Sequence, residues 1–161
     1  MIGLYARVST DDQNVKQQKD YLREYCLKNN YVYRGYIDNG VSGEISDRPA
    51  WQKLLKDCEN NKINTILVVK YDRITRDLRY AIKFLNWLNQ QNGSVKLVSL
   101  FDGGEFVFSP DQVFTFKLKC LMSEHELAVL RWRSRIGIER AKKEGKYLGR
   151  KKGSKNKKTI Y

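Results

Sequence analysis

From the amino end, short apolar runs alternate with amphipathic stretches. IGLYARV at residues 2–8 reads as a β-strand, and NVKQQKDYLREYCLKNN after it carries Val15, Gln18, Leu22, Tyr25 and Cys26 at helical spacing. YVYRGYID (31–38) is a second strand. The glycines of DNGVSGEISDRP mark a loop, and Asp47 with Pro49 predicts a helix start ahead of Trp51, Leu54, Leu55 and Cys58 on one face. INTILVVK (63–70) is apolar almost throughout, the signature of a strand buried on both faces of a parallel sheet. Ile82, Leu85 and Leu88 mark another helix, and SVKLVSLF (94–101) reads as a fourth strand. The alternation predicts an α/β fold, a mostly parallel central sheet of about four to five strands flanked by helices and followed by one long helix.

That long helix starts after the DGGE loop. Ser109-Pro110-Asp111-Gln112 offers a cap residue, a proline at the first helical position and a glutamine spaced for a capping box. Val113, Phe116, Cys120, Leu121, Leu127, Leu130 and Ile138 then supply apolar positions, with only Gly137 interrupting before Glu144. A helix of roughly thirty residues is too long for a compact domain of this size, so part of it is expected to leave the body and to need a partner chain. A break near Gly137 into two shorter helices is the competing reading. The expected organisation is an α/β core over 1–108, a long helix over 109–145, and a basic tail over 146–161. The tail, KYLGRKKGSKNKKTIY, has few apolar groups and is expected to be disordered unless it meets an anion.

Charge narrows the partners. Among 161 residues, 31 Lys and Arg stand against 18 Asp and Glu, a formal charge of +13 that favours a polyanion, nucleic acid first. Excess lysine kept only for solubility is the bland alternative. Cys26, Cys58 and Cys120 are an odd, widely spaced set without a C-x-x-C pair, and read as reduced core thiols. No window has the unbroken apolar length of a membrane helix, and the chain reads as soluble and cytoplasmic, at the nucleoid when on DNA.

In sheets of this kind the reactive crevice lies beyond the carboxyl ends of the strands. There the first strand delivers Arg7 and Ser9, the second Asp38 and the loop to Arg48, and the third Lys70, Asp72, Arg73 and, a turn later, Arg76. Guanidinium forks match phosphate oxygens in pairs, so the set resembles a phosphoryl-transfer site more than an acyl-transfer one. An enzyme typically removes roughly 8–23 kcal/mol of barrier and one electrostatic donor supplies roughly 3–4, so a cluster of cations is needed where one arginine falls short. A serine hydroxyl also needs a proton acceptor or surroundings that favour the alkoxide. His125, the only histidine, lies far along the terminal helix; Asp72 or an arginine-polarised hydroxyl remain the alternatives. Each element alone reads as an ordinary strand end or helix start. Their joint occurrence at three successive strand ends carries the inference.

YARVSTDDQ, the D-x-G-x-S-G-x-x-x-x-R stretch from Asp38 to Arg48, and KYDRITRD together resemble the catalytic domain of the serine recombinases, the resolvase and invertase group. The likeness runs from about residue 2 to 150, including GRKKG, which is similar to the end of that family's long helix. The resemblance implies that Ser9 attacks a DNA phosphodiester to give a 5′-phosphoserine link and a free 3′-hydroxyl, with no metal and no cofactor. It implies that Arg7, Arg48, Arg73 and Arg76 surround the phosphate, with Asp72, Lys70, Gln13, Gln18, Tyr5 and Asp38 supporting them. The partners it implies are double-stranded DNA, a second copy in a homodimer, and a tetramer in synapsis, with no membrane. The resemblance also implies that the core over 1–108 is catalytic and that the helix over 109–145 serves dimerisation and lies close to DNA. Leu121, Glu126 and Leu130 would face the partner chain, and Arg140, Lys142, Lys143, Lys146, Arg150, Lys151 and Lys152 the DNA.

Two departures qualify the match. Glu126 is followed by Leu127 where family members usually have a Glu-Arg pair, and only a lysine-rich tail stands where a further DNA-binding domain usually follows. The chain is therefore expected to be a fragment of a longer recombinase, the alternative being a natural catalytic domain that finds DNA mainly through charge, and its binding is expected to be mostly to phosphates. Two other classes compete. One is a non-catalytic basic DNA-binding or assembly module of the same fold. The other is a metal-dependent nuclease using Asp11, Asp12, Asp38 and Asp72, disfavoured because metal sites gather carboxylates and leave little place for a ring of arginines.

Overall fold

The computed structural model describes residues 1–8, 12–39 and 48–146, and the side chains of all of these except 8, 12–15 and 39. Five strands form one sheet in the order β2-β1-β3-β4-β5, where β1 is Ile2–Val8, β2 Tyr33–Asn39, β3 Thr65–Val68, β4 Lys96–Ser99 and β5 Gly104–Glu105. The first four pair in parallel, and β5 runs antiparallel to β4. The α/β reading of the sequence is what the fold shows. β5 arises inside the stretch read as a DGGE loop, where Gly103 and Gly104 take positive φ values of 107° and 85° that reverse the chain.

Helices α1 (Asp12–Lys28), α2 (Pro49–Glu59), α3 (Leu78–Gln90) and α4 (Pro110–Lys143) connect and follow the strands. The period of two in β1 divides it cleanly. Ile2, Leu4 and Ala6 pack with Leu22, Cys26 and Leu67 on the α1 face, whereas Tyr5 enters the opposite core with Trp51, Leu54, Phe84 and Phe116. Gly3 shares that second face because nothing larger fits: a Cβ there would lie 2.3 Å from Leu54 Cδ1, with Ile63 and Tyr36 closing the other sides. The three cysteines are buried free thiols.

The helix start read at Asp47 and Pro49 is made differently. Arg48 occupies the cap position without a side-chain cap, and the N–H groups of Ala50 and Trp51 instead reach Asp38 on β2. At α4, Ser109 Oγ accepts the Gln112 N–H at 3.2 Å, but Gln112 returns its oxygen to Val107 N–H at 2.8 Å rather than to Ser109. The reason is that Ser109 N–H is already bonded to Val107 O at 2.8 Å. Gly137 leaves α4 unbroken, since one glycine costs only about 0.5–1 kcal/mol in a helix interior.

The chain divides into two compact units, Met1–Glu124 and the part from His125 onward. The boundary falls inside α4 rather than at residue 108, because Phe116 and Cys120 are fully buried in the first unit's core. From His125 to Lys146 the described helix is mostly exposed, with Leu130 and Trp132 60% and 62% accessible among seven Lys or Arg and three Glu. No helix among the described residues is long and apolar enough to cross a membrane.

Candidate phosphate-binding site

The sheet's register builds the site. β1 lies between β2 and β3, and pairing sets Arg7 directly beside Asp38. The same alternation that sends Tyr5 into the core places Arg7 and Asp38 at its upper edge, both nearly inaccessible at 6% and 2%. Beyond β3 the chain tightens into a 3-10 turn, Tyr71–Arg73, so that backbone carbonyls turn back toward β1. Arg7 donates from Nε to Arg73 O at 3.2 Å and from Nη2 to Asp72 O at 3.3 Å. Arg48, 1% accessible at the head of α2, donates from Nη1 to Ile74 O at 2.5 Å. Two arginines far apart in sequence thus grip three consecutive carbonyls of the segment that carries two more.

Those two are tied by one carboxylate. Asp72 receives Arg73 Nε at 3.1 Å and Nη2 at 2.5 Å, and Arg76 Nη2 lies 3.8 Å from the same Oδ2. Arg76 Nε is buried and has no acceptor among the described residues. Among the described residues the arginines crowd one another: burial first, then the charges of Arg48, Arg76 and Arg73, push the Arg7 guanidinium down to about 10.

Asp38 has a different place. Its Oδ1 accepts the Ala50 N–H at 2.9 Å, and its Oδ2 accepts the Trp51 N–H at 3.1 Å and the Tyr5 hydroxyl at 3.0 Å. Burial, reinforced by the negative charge of Asp38, pushes the Tyr5 hydroxyl well above the ordinary phenol range, so it stays a donor. Trp51 packs its ring 4.6 Å from that of Tyr5 and donates Nε1 to Tyr80 OH at 2.7 Å. Tyr5 and Asp38 therefore fix the start of α2, and with it Arg48.

The structure brings Arg7, Arg48, Asp72, Arg73 and Arg76 together and sets Tyr5 and Asp38 beneath them. Lys70 is exposed, and among the described residues its ammonium has no hydrogen-bond or ion-pair partner. Gln18 Oε1 is buried without a donor among the described residues. Ser9, the side chain of Gln13, and Arg150, Lys151 and Lys152 lie outside the described residues. Leu121 and Leu130 are exposed on α4, as are Glu126, Arg140, Lys142 and Lys143, while Lys146 pairs with Glu144 at 2.6 Å. Among the described residues no three His, Cys, Asp or Glu gather as a metal site.

Sequence reasoning missed Asp102, whose Oδ2 accepts the Tyr71 N–H at 2.6 Å at the mouth of the arginine turn. It follows the run 94–101, so the strand-end rule applied to the fourth strand would have found it. The carbonyls of Asp72, Arg73 and Ile74 carry no side-chain signal at all.

Comparison with known proteins points to one family. The family model described as Resolvase, N terminal domain, matches residues 2–147. A putative DNA recombinase of Bacillus subtilis (strain 168) is 30% identical over 148 residues, 90% of this chain but only 29% of that protein. The Tn1546 resolvase of Enterococcus faecium is 33% identical over 155 residues, 94% of this chain and 76% of the resolvase. Among solved structures, the N-terminal catalytic domain of TP901-1 integrase is similar at a TM-score of 0.60 and 28% identity, covering 80% of this chain and 97% of that one.

Proposed function

As the chain belongs to the resolvase N-terminal domain family, we propose that it is the catalytic part of a site-specific DNA recombinase that breaks and rejoins strands through Ser9. The observation that carries the reading is the arginine cluster. Among the described residues Asp72 is paired with both Arg73 and Arg76, Asp38 is spent on Tyr5 and α2, and the Arg76 Nε has no acceptor. A phosphodiester supplies negative charge, and its two non-bridging oxygens suit planar donors.

In the proposed reaction the Ser9 hydroxyl oxygen attacks phosphorus and forms an O–P bond as the bond from phosphorus to the 3′ oxygen breaks. The proton lost by Ser9 is balanced by the one gained by the departing 3′-hydroxyl. Charge building on the phosphoryl oxygens is stabilised by Arg7, Arg48, Arg73 and Arg76. One phosphate ester replaces another, so attack by a 3′-hydroxyl on the phosphoserine reverses the step without an external energy source. Asp72 holds the forks of Arg73 and Arg76 in register. The exposed apolar and basic positions of α4 suit a second copy and the DNA backbone, in a dimer that pairs into a tetramer for exchange.

The test is direct. The chain, fused to a DNA-binding module of known site, is incubated with end-labelled duplex, stopped in detergent and resolved by size. A protein-linked 5′ end is expected, absent with Ser9→Ala and carrying phosphoserine after digestion. Cleavage that survives Ser9→Ala would overturn the assignment.

A further inference from the structure

Resting on that reading, the structure assigns a positioning role to Asp102 and Lys119, which tie the arginine-bearing turn to α4 and thereby set the cation geometry. Asp102 stands just beyond β4, its side chain only 6% accessible, and every contact it makes is strong. Oδ2 accepts the Tyr71 N–H at 2.6 Å and the Ser99 hydroxyl at 2.9 Å, while Oδ1 receives the Lys119 ammonium.

The Tyr71 N–H is the first donor of the 3-10 turn, a group the turn itself cannot satisfy. Lys70 before it is fully extended, at φ −146° and ψ 157°, so the chain changes direction at this point and Asp102 fixes the corner. Lys119 neutralises the buried carboxylate and lies over the Tyr71 ring, 5.9 Å from its centroid, while Phe116 packs that ring from one turn earlier at 4.8 Å. At the far end of the same segment, Glu124 Oε2 accepts the Leu78 N–H at 3.4 Å. Asp72, Arg73 and Arg76 thus sit on a short span that α4 holds at both ends. Neither Asp102 nor Lys119 bonds to any of the four arginines, so their effect on chemistry passes through the backbone of the turn. Because a displacement of about 1 Å in a catalytic group can cost about a hundredfold in rate, the tether is decisive for cleavage and irrelevant to DNA affinity.

Lys119→Gln keeps the length and polarity of the stem but removes the charge, Lys119→Arg keeps the charge, and Asp102→Asn keeps an acceptor for Tyr71 while breaking the ion pair. With the full chain and the fused duplex assay, Lys119→Gln and Asp102→Asn are expected to slow adduct formation roughly 10–100-fold at unchanged DNA affinity, with Lys119→Arg recovering most of the rate. Amide exchange is measured in parallel without DNA, where Tyr71–Arg73 should exchange about tenfold faster in Lys119→Gln but not in Lys119→Arg. An unmoved exchange rate overturns the tether, and an unmoved adduct rate with faster exchange overturns its role in positioning. Should the parent chain form no adduct, the Ser9 reading fails by itself, and exchange alone decides whether the tether exists.

Discussion

Replacing Asp38 by alanine removes three hydrogen bonds at once and makes the sharpest test of what that carboxylate does. Two of the bonds satisfy the Ala50 and Trp51 N–H groups at the start of α2. Loss of such a cap costs about 0.5–2 kcal/mol. The third leaves the Tyr5 hydroxyl, on a residue with no accessible surface, without its acceptor. A stranded buried donor costs about 1–3 kcal/mol. Together the loss is about 1.5–5 kcal/mol, which for a chain of this size lowers Tm by roughly 3–20 °C. Tyr5→Phe removes only one bond and leaves both N–H groups satisfied, so it should cost about 1 kcal/mol. The combined variant should then be less damaged than the sum of the two, with a coupling of about 1–2 kcal/mol. Urea unfolding of the parent, both single variants and the double variant measures all of these values. Wild-type stability in Asp38→Ala, or strict additivity in the cycle, would refute the view that Asp38 is a structural cap beneath Arg48.

Gly3→Ala should destabilise by about 1–3 kcal/mol through overpacking against Leu54, Ile63 and Tyr36, which urea unfolding would show as a lower midpoint at unchanged slope. Arg7 gives a pH signature: its folded value, about 10, lies below its ordinary value, so the cost of keeping it charged is full below pH 10 and disappears as pH rises beyond it. Sulfate, whose charge is constant over this range, should therefore raise Tm at neutral pH and progressively less above pH 10; an unchanged effect at higher pH, or the same profile in Arg7→Met, would count against Arg7 as an anion ligand. Exchanging both Arg140 and Lys143 for alanine should reduce the slope of log affinity against log salt for duplex DNA by about 2, and a slope equal to that of the parent would remove them from the phosphate contacts.

Much of this was legible in the chain. The apolar run 63–70 announced a doubly buried strand, and the rule that parallel sheets gather chemistry at their carboxyl ends brought Arg7, Arg48, Arg73 and Arg76 into one site before any coordinates. What the pattern could not show was how those ends are held. Asp38 read as one more polar group at the site, because a side chain that caps a helix from a neighbouring strand leaves no local spacing to detect. The bonds to the carbonyls of Asp72, Arg73 and Ile74 depend on a 3-10 turn, and backbone acceptors are the same in every sequence. The boundary within α4 escaped for a similar reason: Phe116 and Cys120 have the same periodicity as the exposed Leu121 and Leu130, and only the packing separates them.

The central place of β1 also has a consequence in time. Both of its neighbours come later in the chain, and the last cations of the cluster lie near residue 76. A polypeptide interrupted before Arg73, by stalled synthesis or by a protease nick, carries no more than Arg7 and Arg48 of the four arginines. On the proposed chemistry such remnants are unable to sever a chromosome.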